Sequence, residues 1–321
     1  MFKNKIIVTG GAGFIGSHLV EQLVSLGVEV VVIDNLTSGF LCNLSKIIDN
    51  IDFIQANVEE FDFSRLGYIS AIVHLAAQTS VPYSIENYYE STRINLLSTT
   101  KVIDFCKNTD TPLVYATSSA VYGGMDYGDD TSSNVDLISP YAVDKFVMEL
   151  YTQCASQLYD LSSIGLRFFN VYGPRQDPSN PYSGVITLFI NKLMNSAPVT
   201  VNGGHQTRDF VYVEDVCQCI MTALGKVVRE KRCDVVNILT GRSITINRLL
   251  SCLQELIPNQ STVSYVDLPK GDPEKSDGNV EKMIALLKVN LADMISLEEG
   301  LNDTIKYFKQ LMLQVESHEV I

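Results

Sequence analysis

The stretch IIVTGGAGFIGSHLVEQLVSLGVEVVVID, from Ile6 to Asp34, decides the fold. Its apolar runs and glycines predict a strand, a tight turn, a helix and a second strand. Gly11, Gly13 and Gly16 form a G-x-G-x-x-G fingerprint directly after the first strand, which is typical of dinucleotide-binding βαβ units. We expect Gly11 to permit the turn, Gly13 to let a pyrophosphate approach the backbone and Gly16 to let the helix lie close to the sheet.

The acid that ends the second strand indicates which dinucleotide binds. Asp34 can accept hydrogen bonds from an adenosine ribose and would repel a 2′-phosphate. No Arg or Lys follows Asp34 until Lys46. The sequence therefore predicts NAD rather than NADP as the cofactor.

Strands and helices alternate through the first half of the chain, and this order predicts a Rossmann-type, doubly wound parallel sheet of the α/β class. A change of pattern follows: the stretch 170–183 contains three prolines and is expected to be mostly loop. We assign residues 1–169 to an NAD-binding domain, to which later segments at about 209–240 return. Residues 170–321 then form mainly a smaller, mixed α/β substrate-binding domain.

Composition narrows the class of protein. A net charge of −13 argues against nucleic acid and anionic membrane surfaces as partners. No apolar run of membrane length is present, and the fingerprint begins within ten residues of Met1, so we expect a cytoplasmic protein. The seven cysteines show no paired metal-ligand spacing, and neither a metal site nor disulfides are predicted.

Three residues in the first half can carry acid–base chemistry. Ser118 follows a predicted strand at the sheet edge where ligands bind, and Tyr141 and Lys145 lie one helical turn apart. A tyrosine has an ordinary pKa of ~10, and a nearby ammonium together with an oxidised nicotinamide would lower it. These groups could remove a proton from a carbinol while hydride leaves its carbon. His74 lies within a buried-strand pattern, and we expect a packed, hydrogen-bonded histidine rather than a catalyst.

The chain resembles the extended short-chain dehydrogenase/reductase family, and within it the NAD-dependent sugar-nucleotide epimerases and dehydratases. Six motifs in order carry the resemblance over nearly the whole chain. They are TGGAGFIG at Thr9–Gly16, HLAAQTSV at His74–Val81, TSSAVYG at Thr117–Gly123, SPYAVDK at Ser139–Lys145, FFNVYGPRQDP at Phe168–Pro178 and TRDFVYVEDV at Thr207–Val216.

The resemblance implies roles for individual residues. It implies Ser118, Tyr141 and Lys145 as the catalytic triad. It implies further contacts to the cofactor from Gly11, Gly13, Phe14, Ile15, Gly16, Asp34, Asn35, Asn57, Val58, Leu75, Ala76, Ala77, Gln78 and Asn95, besides Tyr141 and Lys145. It implies a sugar-nucleotide site formed by Ser80, Ser118, Ser119, Tyr141, Asn170, Arg208 and Ser276, with Arg208 on the diphosphate. Relatives tend to have Asp at the position of Asn57, so we expect retained but adjusted NAD contacts there.

The residue two positions after Ser118 separates the reactions of this family. Dehydratases and decarboxylases usually have an acid there for elimination, whereas this chain has Ala120. A 4-epimerase needs no further acid, because the 4-keto sugar only rotates before hydride returns. The alternatives are a dehydratase with an acid elsewhere, a non-catalytic NAD-binding protein, and a reductase that consumes external NAD(P)H.

The resemblance also bears on the sugar. UDP-hexose 4-epimerases have a size gate four residues after the Asp of a Gly-Asp pair, here Gly271-Asp272, which places the gate at Ser276. A small gate leaves room for an N-acetyl group, and the segment 175–186 also resembles the N-acetylhexosamine branch. UDP-GlcNAc and UDP-GalNAc are therefore the predicted substrates, with UDP-Glc and UDP-Gal also accepted. Serine there is also compatible with an ordinary surface residue, because Pro269 stands where relatives have a diphosphate-binding Arg, with only Lys270 beside it.

Family members usually dimerise through two helices from each subunit, one of which carries the catalytic Tyr and Lys. We therefore expect a homodimer. Apolar side chains that could form its interface are Leu96, Leu97, Phe146, Val147 and Leu150, although core packing would explain them equally well.

Overall fold

The computed structural model describes residues 5–180, 183–269 and 272–318. Lys270 and Gly271, together with Pro181 and Tyr182 of the segment 175–186, lie outside the described residues. No helix within the described ranges combines the length and the apolar character needed to cross a bilayer.

The described ranges contain twelve strands and nine helices. The strands are β1 (Ile6–Thr9), β2 (Val30–Asp34), β3 (Ile51–Gln55), β4 (Ala71–His74), β5 (Leu113–Ser118), β6 (Ser163–Phe168), β7 (Asn170–Tyr172), β8 (Val199–Asn202), β9 (Thr207–Tyr212), β10 (Cys233–Ile238), β11 (Ser243–Thr245) and β12 (Val263–Val266). The helices are α1 (Phe14–Ser25), α2 (Val81–Glu86), α3 (Tyr88–Thr109), α4 (Pro140–Tyr159), α5 (Val185–Met194), α6 (Val213–Arg229), α7 (Ile246–Leu256), α8 (Glu281–Leu287) and α9 (Leu297–His318).

Seven of the strands form one parallel sheet with the order β10-β6-β5-β4-β1-β2-β3. The strand order reverses between β1 and β4, and a doubly wound sheet binds its ligand in the crevice at that point. The predicted fold class is therefore confirmed. It places the fingerprint after β1 beside the residues that follow β4.

Both faces of this sheet are covered, which explains the almost uninterrupted apolar strands. Ile7 and Val8 are fully buried neighbours on β1 that point to opposite faces. Val8 packs in a cluster with Val20 of α1 and Ile220 of α6. Ile7 packs in a second cluster with Met148 of α4 and residues of α3.

Two small sheets lie outside the parallel sheet, with the orders β11-β9-β7 and β12-β8. The described residues of 170–183 are mostly loop, as predicted, but Asn170–Tyr172 at the start forms β7 and pairs in parallel with β9. Of the later segments, β10 joins the parallel sheet and α6 packs on α1, whereas β9 remains in the small sheet. These connections bring the edge of the parallel sheet next to the C-terminal part of the chain.

Candidate active site

The fingerprint loop leaves space where a diphosphate would lie. Helix α1 begins at Phe14, which Ile15 follows, and its N-cap, Gly13, has no side chain to cap the helix. A Cβ on Gly13 would approach only the carbonyl oxygen of Gly10, at 3.2 Å, so its other side is open. A Cβ on Gly16 would lie 2.1 Å from the same oxygen, so a residue without a side chain is required there. The free helix N-terminus supplies N–H groups and partial positive charge for an anion.

One predicted glycine role was assigned to the wrong residue. The left-handed turn is at Gly10, with a φ of +71°, and the backbone of Ala76 lies 2.7 Å from where its Cβ would be. Gly11 is not in the left-handed region. Its missing side chain instead accommodates Val32 of β2, whose Cγ1 would lie 2.7 Å from a Cβ.

Asp34 connects the adenosine end of the crevice to the fingerprint loop. It is buried, and its Oδ2 accepts a hydrogen bond from the Ala12 amide at 2.9 Å while Oδ1 accepts one from the Leu36 amide at 2.8 Å. Each carboxylate oxygen has a second lone pair for a ribose hydroxyl. The arrangement fits NAD, because a 2′-phosphate would face this fixed negative charge.

The asparagine that replaces an expected acid is part of a chain of side-chain amides. Asn35 donates from Nδ2 to Asn57 Oδ1 at 2.9 Å, and Asn57 Nδ2 donates to Glu60 Oε2 at 3.1 Å. Val58, the next residue, is buried in the core of the α3 face. The Asn57 amide is therefore held by partners on both sides, in the position where we predicted an adjusted adenine contact.

The segment that follows β4 is held to helix α3. Leu75, Ala76 and Ala77 are half-buried, and the Gln78 backbone exchanges two hydrogen bonds with the Asn95 amide group, at 2.9 and 3.2 Å. Asn95 Nδ2 also lies 3.2 Å from Asp144 Oδ2 of α4. The predicted cofactor segment and the helix of the catalytic residues thus share one buried asparagine.

The three predicted catalytic residues converge. Ser118 ends β5, its Oγ accepts a hydrogen bond from the Ala120 amide at 3.1 Å, and its hydroxyl lies near enough to the Tyr141 phenol to lower the pKa of that phenol. Lys145 is buried, with Nζ 5.8 Å from the centre of the Tyr141 ring and 2.9 Å from the Ala116 carbonyl oxygen, to which it donates. A hydroxyl, a phenol and an amine therefore face one point at the carboxyl edge of the sheet.

Burial shifts the ionisation of these groups in opposite senses. It raises the pKa of Tyr141 to about 12, an effect that the Ser118 hydrogen bond opposes and the Asp144 charge reinforces. It lowers the pKa of Lys145 to about 8, against the effects of Asp144 and Glu149. The predicted lowering of the Tyr141 pKa is therefore absent in the protein alone, because burial is the dominant effect on this phenol. The positive nicotinamide, which that prediction also invoked, acts on the Tyr141 phenol only when NAD is bound.

His74 is a structural residue, as predicted. Its Nδ1 lies 2.7 Å from Thr9 Oγ1 and its Nε2 lies 3.2 Å from Thr99 Oγ1. Burial lowers the pKa of His74 to about 3, so the imidazole is neutral at physiological pH.

The predicted sugar-nucleotide residues fall into two groups. Ser80 and Ser119 lie near the parallel sheet: Ser80 caps α2 and accepts the Tyr83 amide at 3.1 Å, and Ser119 begins a 3-10 turn directly after Ser118. Asn170 and Ser276 lie on the C-terminal side, where Asn170 Nδ2 is 3.3 Å from Ser276 Oγ. The structure therefore brings the predicted gate into contact with another predicted substrate ligand.

Arg208 has partners that the sequence did not reveal. It is buried, its Nη2 donates to Asp272 Oδ1 at 2.5 Å, and its Nη1 donates to the Pro273 carbonyl oxygen at 2.8 Å. In the sequence, Asp272 serves only as the position four residues before the predicted gate. A guanidinium held in this way keeps its fork in one orientation for a phosphate.

A backbone bridge joins the gate segment to the loop after Ser118. The Gly128 amide donates to the Asp277 carbonyl oxygen at 2.8 Å, and the Asn279 amide donates to the Gly128 carbonyl oxygen at 2.9 Å. Lys275 Nζ lies 3.2 Å from Asp126 Oδ1 in the same pair of segments. No group of three or more His, Cys, Asp and Glu side chains in the described ranges could hold a metal ion.

Comparison with known proteins agrees with this arrangement. Residues 6–238 match the NAD-dependent epimerase/dehydratase family. The chain is 33% identical to a putative UDP-glucose 4-epimerase of Methanocaldococcus jannaschii, over 95% of this chain and 98% of that protein. It is 30% identical to a UDP-glucuronate 4-epimerase of Thermodesulfobacterium geofontis, over 98% and 99%. A solved UDP-N-acetylglucosamine 4-epimerase of Methanobrevibacter ruminantium, in complex with UDP-N-acetylmuramic acid, superposes with a TM-score of 0.89, at 32% identity and covering 97% and 100% of the two chains.

Proposed function

The chain belongs to the NAD-dependent epimerase/dehydratase family and resembles its UDP-sugar 4-epimerases, and from this premise we propose that it interconverts UDP-GlcNAc and UDP-GalNAc. UDP-Glc and UDP-Gal are proposed as further substrates. NAD is the cofactor, and the open helix N-terminus and Asp34 fit it.

The contact between Ser276 and Asn170 carries the choice of sugar. The half-buried Ser276 lies 3.3 Å from the Asn170 amide, on the C-terminal side of the site. A serine leaves volume there that a tyrosine would fill, and both hydroxyl and amide can hydrogen-bond an acetamido group. This supports an N-acetylated sugar.

Charges near the gate argue for a sugar without a carboxylate. The two nearby cations in the described part of the chain, Arg208 and Lys275, are already paired with Asp272 and Asp126. In this proposal Arg208 is engaged by the diphosphate, so a uronate would have to compete with Asp126 for Lys275, and a neutral hexosamine would not.

The protein's own groups account for the proton movements. When bound, NAD supplies reversible removal of hydrogen from C4′ of the sugar. Tyr141 takes the proton of the 4′-hydroxyl and returns it, and the Ser118 hydroxyl beside the phenol orients the sugar oxygen. The Lys145 ammonium favours the phenolate. Arg208 holds the diphosphate while the 4-keto sugar turns to present its other face.

The absence of an acid after the catalytic serine supports epimerisation over elimination. Ala120 only donates its backbone N–H to Ser118 Oγ and has no proton to transfer. A dehydratase would release a stable 4-keto-6-deoxy sugar, and a reductase would consume external NAD(P)H stoichiometrically. A non-catalytic NAD-binding protein would neither convert a UDP-sugar nor consume NAD(P)H.

A panel of UDP-sugars, with the products resolved by NMR, tests the proposal. We expect 4′-epimers of the N-acetylated pair, no net NADH, and loss of turnover in Tyr141→Phe, which keeps the ring and removes the acid–base group. A keto-deoxy product, or conversion restricted to UDP-glucuronate, would refute the assignment.

We also propose a homodimer. Leu97 of α3 and Leu150 of α4 are 49% and 48% exposed, and the two helices pack side by side. Leu96, Phe146 and Val147 are half-buried in the same helices. We further infer that residues 1–169, with α6 and β10, make up the NAD-binding domain, and that most of 170–321 makes up the sugar-nucleotide domain.

A further inference from the structure

A buried ion pair lies behind the catalytic residues. Arg167 of β6 donates from Nε to Glu149 Oε1 at 2.9 Å and from Nη2 to Glu149 Oε2 at 2.6 Å, and each side chain is only 6% exposed. Glu149 lies one helical turn after Lys145 on α4. A two-bond fork fixes orientation as well as distance, so this pair sets how α4 lies on the sheet.

The same carboxylate holds the residue before Ser118. Thr117 is the register partner of Arg167 on the neighbouring strand, and its Oγ1 donates to Glu149 Oε1 at 2.7 Å. Glu149 therefore links the helix of Tyr141 and Lys145 directly to the strand end that presents the serine.

The guanidinium holds the turn after Ser118. Arg167 Nη1 donates to the Tyr122 hydroxyl at 2.8 Å, and its Cζ lies 5.0 Å from the centre of the Tyr122 ring. Tyr122 ends the 3-10 turn that begins at Ser119, and its hydroxyl donates to Asn237 Oδ1 at 2.7 Å. The segments on both sides of Ser118 are thus bound to one ion pair.

We propose that the Arg167–Glu149 pair is a positioning element that holds Ser118 within hydrogen-bonding reach of Tyr141. The inference rests on the proposed function, since it gives the pair a part in that reaction. Stability alone does not explain the pair, because apolar residues of similar volume often stabilise a core as well or better. Its contacts before and after the serine are what positioning requires.

The pair also contributes charge near Lys145. The titratable groups that face Lys145 are Asp144, Glu149 and Tyr141 of its own helix and His74 of β4. His74 is neutral, whereas the two acids raise the pKa of Lys145 against the effect of burial. Loss of Glu149 therefore makes Lys145 lose its proton at lower pH. The alkaline limb of the kcat–pH profile then moves to lower pH.

The double variant Arg167→Met/Glu149→Met tests the inference. The Thr117 and Tyr122 hydroxyls each keep a second partner, so no buried hydroxyl is left unpaired and the fold is expected to persist. We expect kcat to fall about 10²-fold, as a displacement of about 1 Å can cause, with KM within about twofold of the parent. The alkaline limb of the kcat–pH profile is expected to shift downward.

A matched control removes another ion pair of the same sheet. Arg232→Met/Asp234→Met acts at the amino end of β10, where Arg232 Nε lies 3.0 Å from Asp234 Oδ2. We expect parental kcat and pH profile from it. Parental values from the Arg167/Glu149 double variant would overturn the inference.

Two further measurements keep failures distinguishable. If the double variant does not fold, Thr117→Val removes the hydrogen bond between the strand end and Glu149 and leaves the ion pair intact, and a parental kcat would then refute the inference. If the parent converts no UDP-sugar, the proposed function fails by itself. Positioning is then judged by crystal structures of the parent and the double variant, in which an unchanged distance between Ser118 Oγ and the Tyr141 hydroxyl contradicts the inference and an increased distance supports it.

Discussion

Replacement of Gly16 with alanine is expected to weaken NAD binding by displacing helix α1. The new Cβ would lie 2.1 Å from the Gly10 carbonyl oxygen, 1.3 Å inside the 3.4 Å at which ordinary contact begins, and 2.8 Å from Gly11 Cα. Both atoms belong to the backbone of the fingerprint loop, so neither can turn away as a side chain would.

The magnitude follows from that overlap. Relief requires α1 to move by about 1 Å, which disrupts a hydrogen bond from its N-terminus to the charged diphosphate; such a bond contributes about 1.5–3 kcal/mol, or roughly 10- to 150-fold in Kd. Overpacking of a tight contact costs roughly 1–3 kcal/mol, which for a chain of 321 residues corresponds to a Tm lower by about 3 °C near the middle of that range. The measurements are NAD affinity by titration calorimetry and Tm by differential scanning calorimetry.

Alanine variants of two other glycines serve as controls, because neither creates a backbone clash like the one at Gly16. Gly225 in α6 has nothing within 4 Å of a Cβ, so Gly225→Ala should stabilise the protein by about 0.5–1 kcal/mol. Gly27 also has open space but a φ of +72°, so Gly27→Ala should cost about 1–2 kcal/mol through strain alone. Both variants should bind NAD as the parent does. Parental NAD affinity and Tm in Gly16→Ala would refute the reasoning.

Three further outcomes are expected. Ser276→Tyr should reduce kcat/KM on N-acetylated UDP-sugars at least tenfold more than on UDP-Glc and UDP-Gal, about the discrimination that a filled pocket gives; equal losses would mean that Ser276 is not the gate. His74 stays neutral in the folded protein down to about pH 3, whereas an unfolded histidine binds a proton below about pH 6.5. The free energy of unfolding should therefore fall as the pH drops through this interval, by up to about 1.4 kcal/mol per pH unit. Urea unfolding at pH 7 and pH 5 should show a smaller decrease for His74→Gln than for the parent, and an equal decrease would contradict this. Leu97→Asp/Leu150→Asp should give monomers in analytical ultracentrifugation, and a persistent dimer would exclude the proposed α3/α4 interface.

Local patterns were sufficient for the first βαβ unit. Ile6–Thr9, Phe14–Ser25 and Val30–Asp34 follow the predicted strand, helix and strand, because apolar period and glycine spacing act over short distances. His74 was also predictable, because its surroundings along the strand are all buried. In each case the deciding information lies within a few residues of the element.

Features that depend on distant partners were not predictable in this way. The left-handed glycine is Gly10 rather than Gly11, since the position of the Ala76 backbone fixes the turn. The pairing of Asn170–Tyr172 with β9 overrides a composition typical of loops. The pKa of Tyr141 is set by burial, which the spacing to its lysine does not reveal. These properties arise only when the sheet is assembled.

The bridge between Gly128 and the segment around Asp277 has a consequence for attempts to graft a new sugar preference onto this scaffold. The segment that carries the proposed gate, 272–279, is hydrogen-bonded through its backbone to the loop 123–130. A transplanted segment 272–279 from a relative would arrive without the loop to which it had been fitted. The unit of exchange is therefore the pair of loops, and a chimera that carries both 123–130 and 272–279 should keep its new preference where a single-loop chimera loses activity on either sugar.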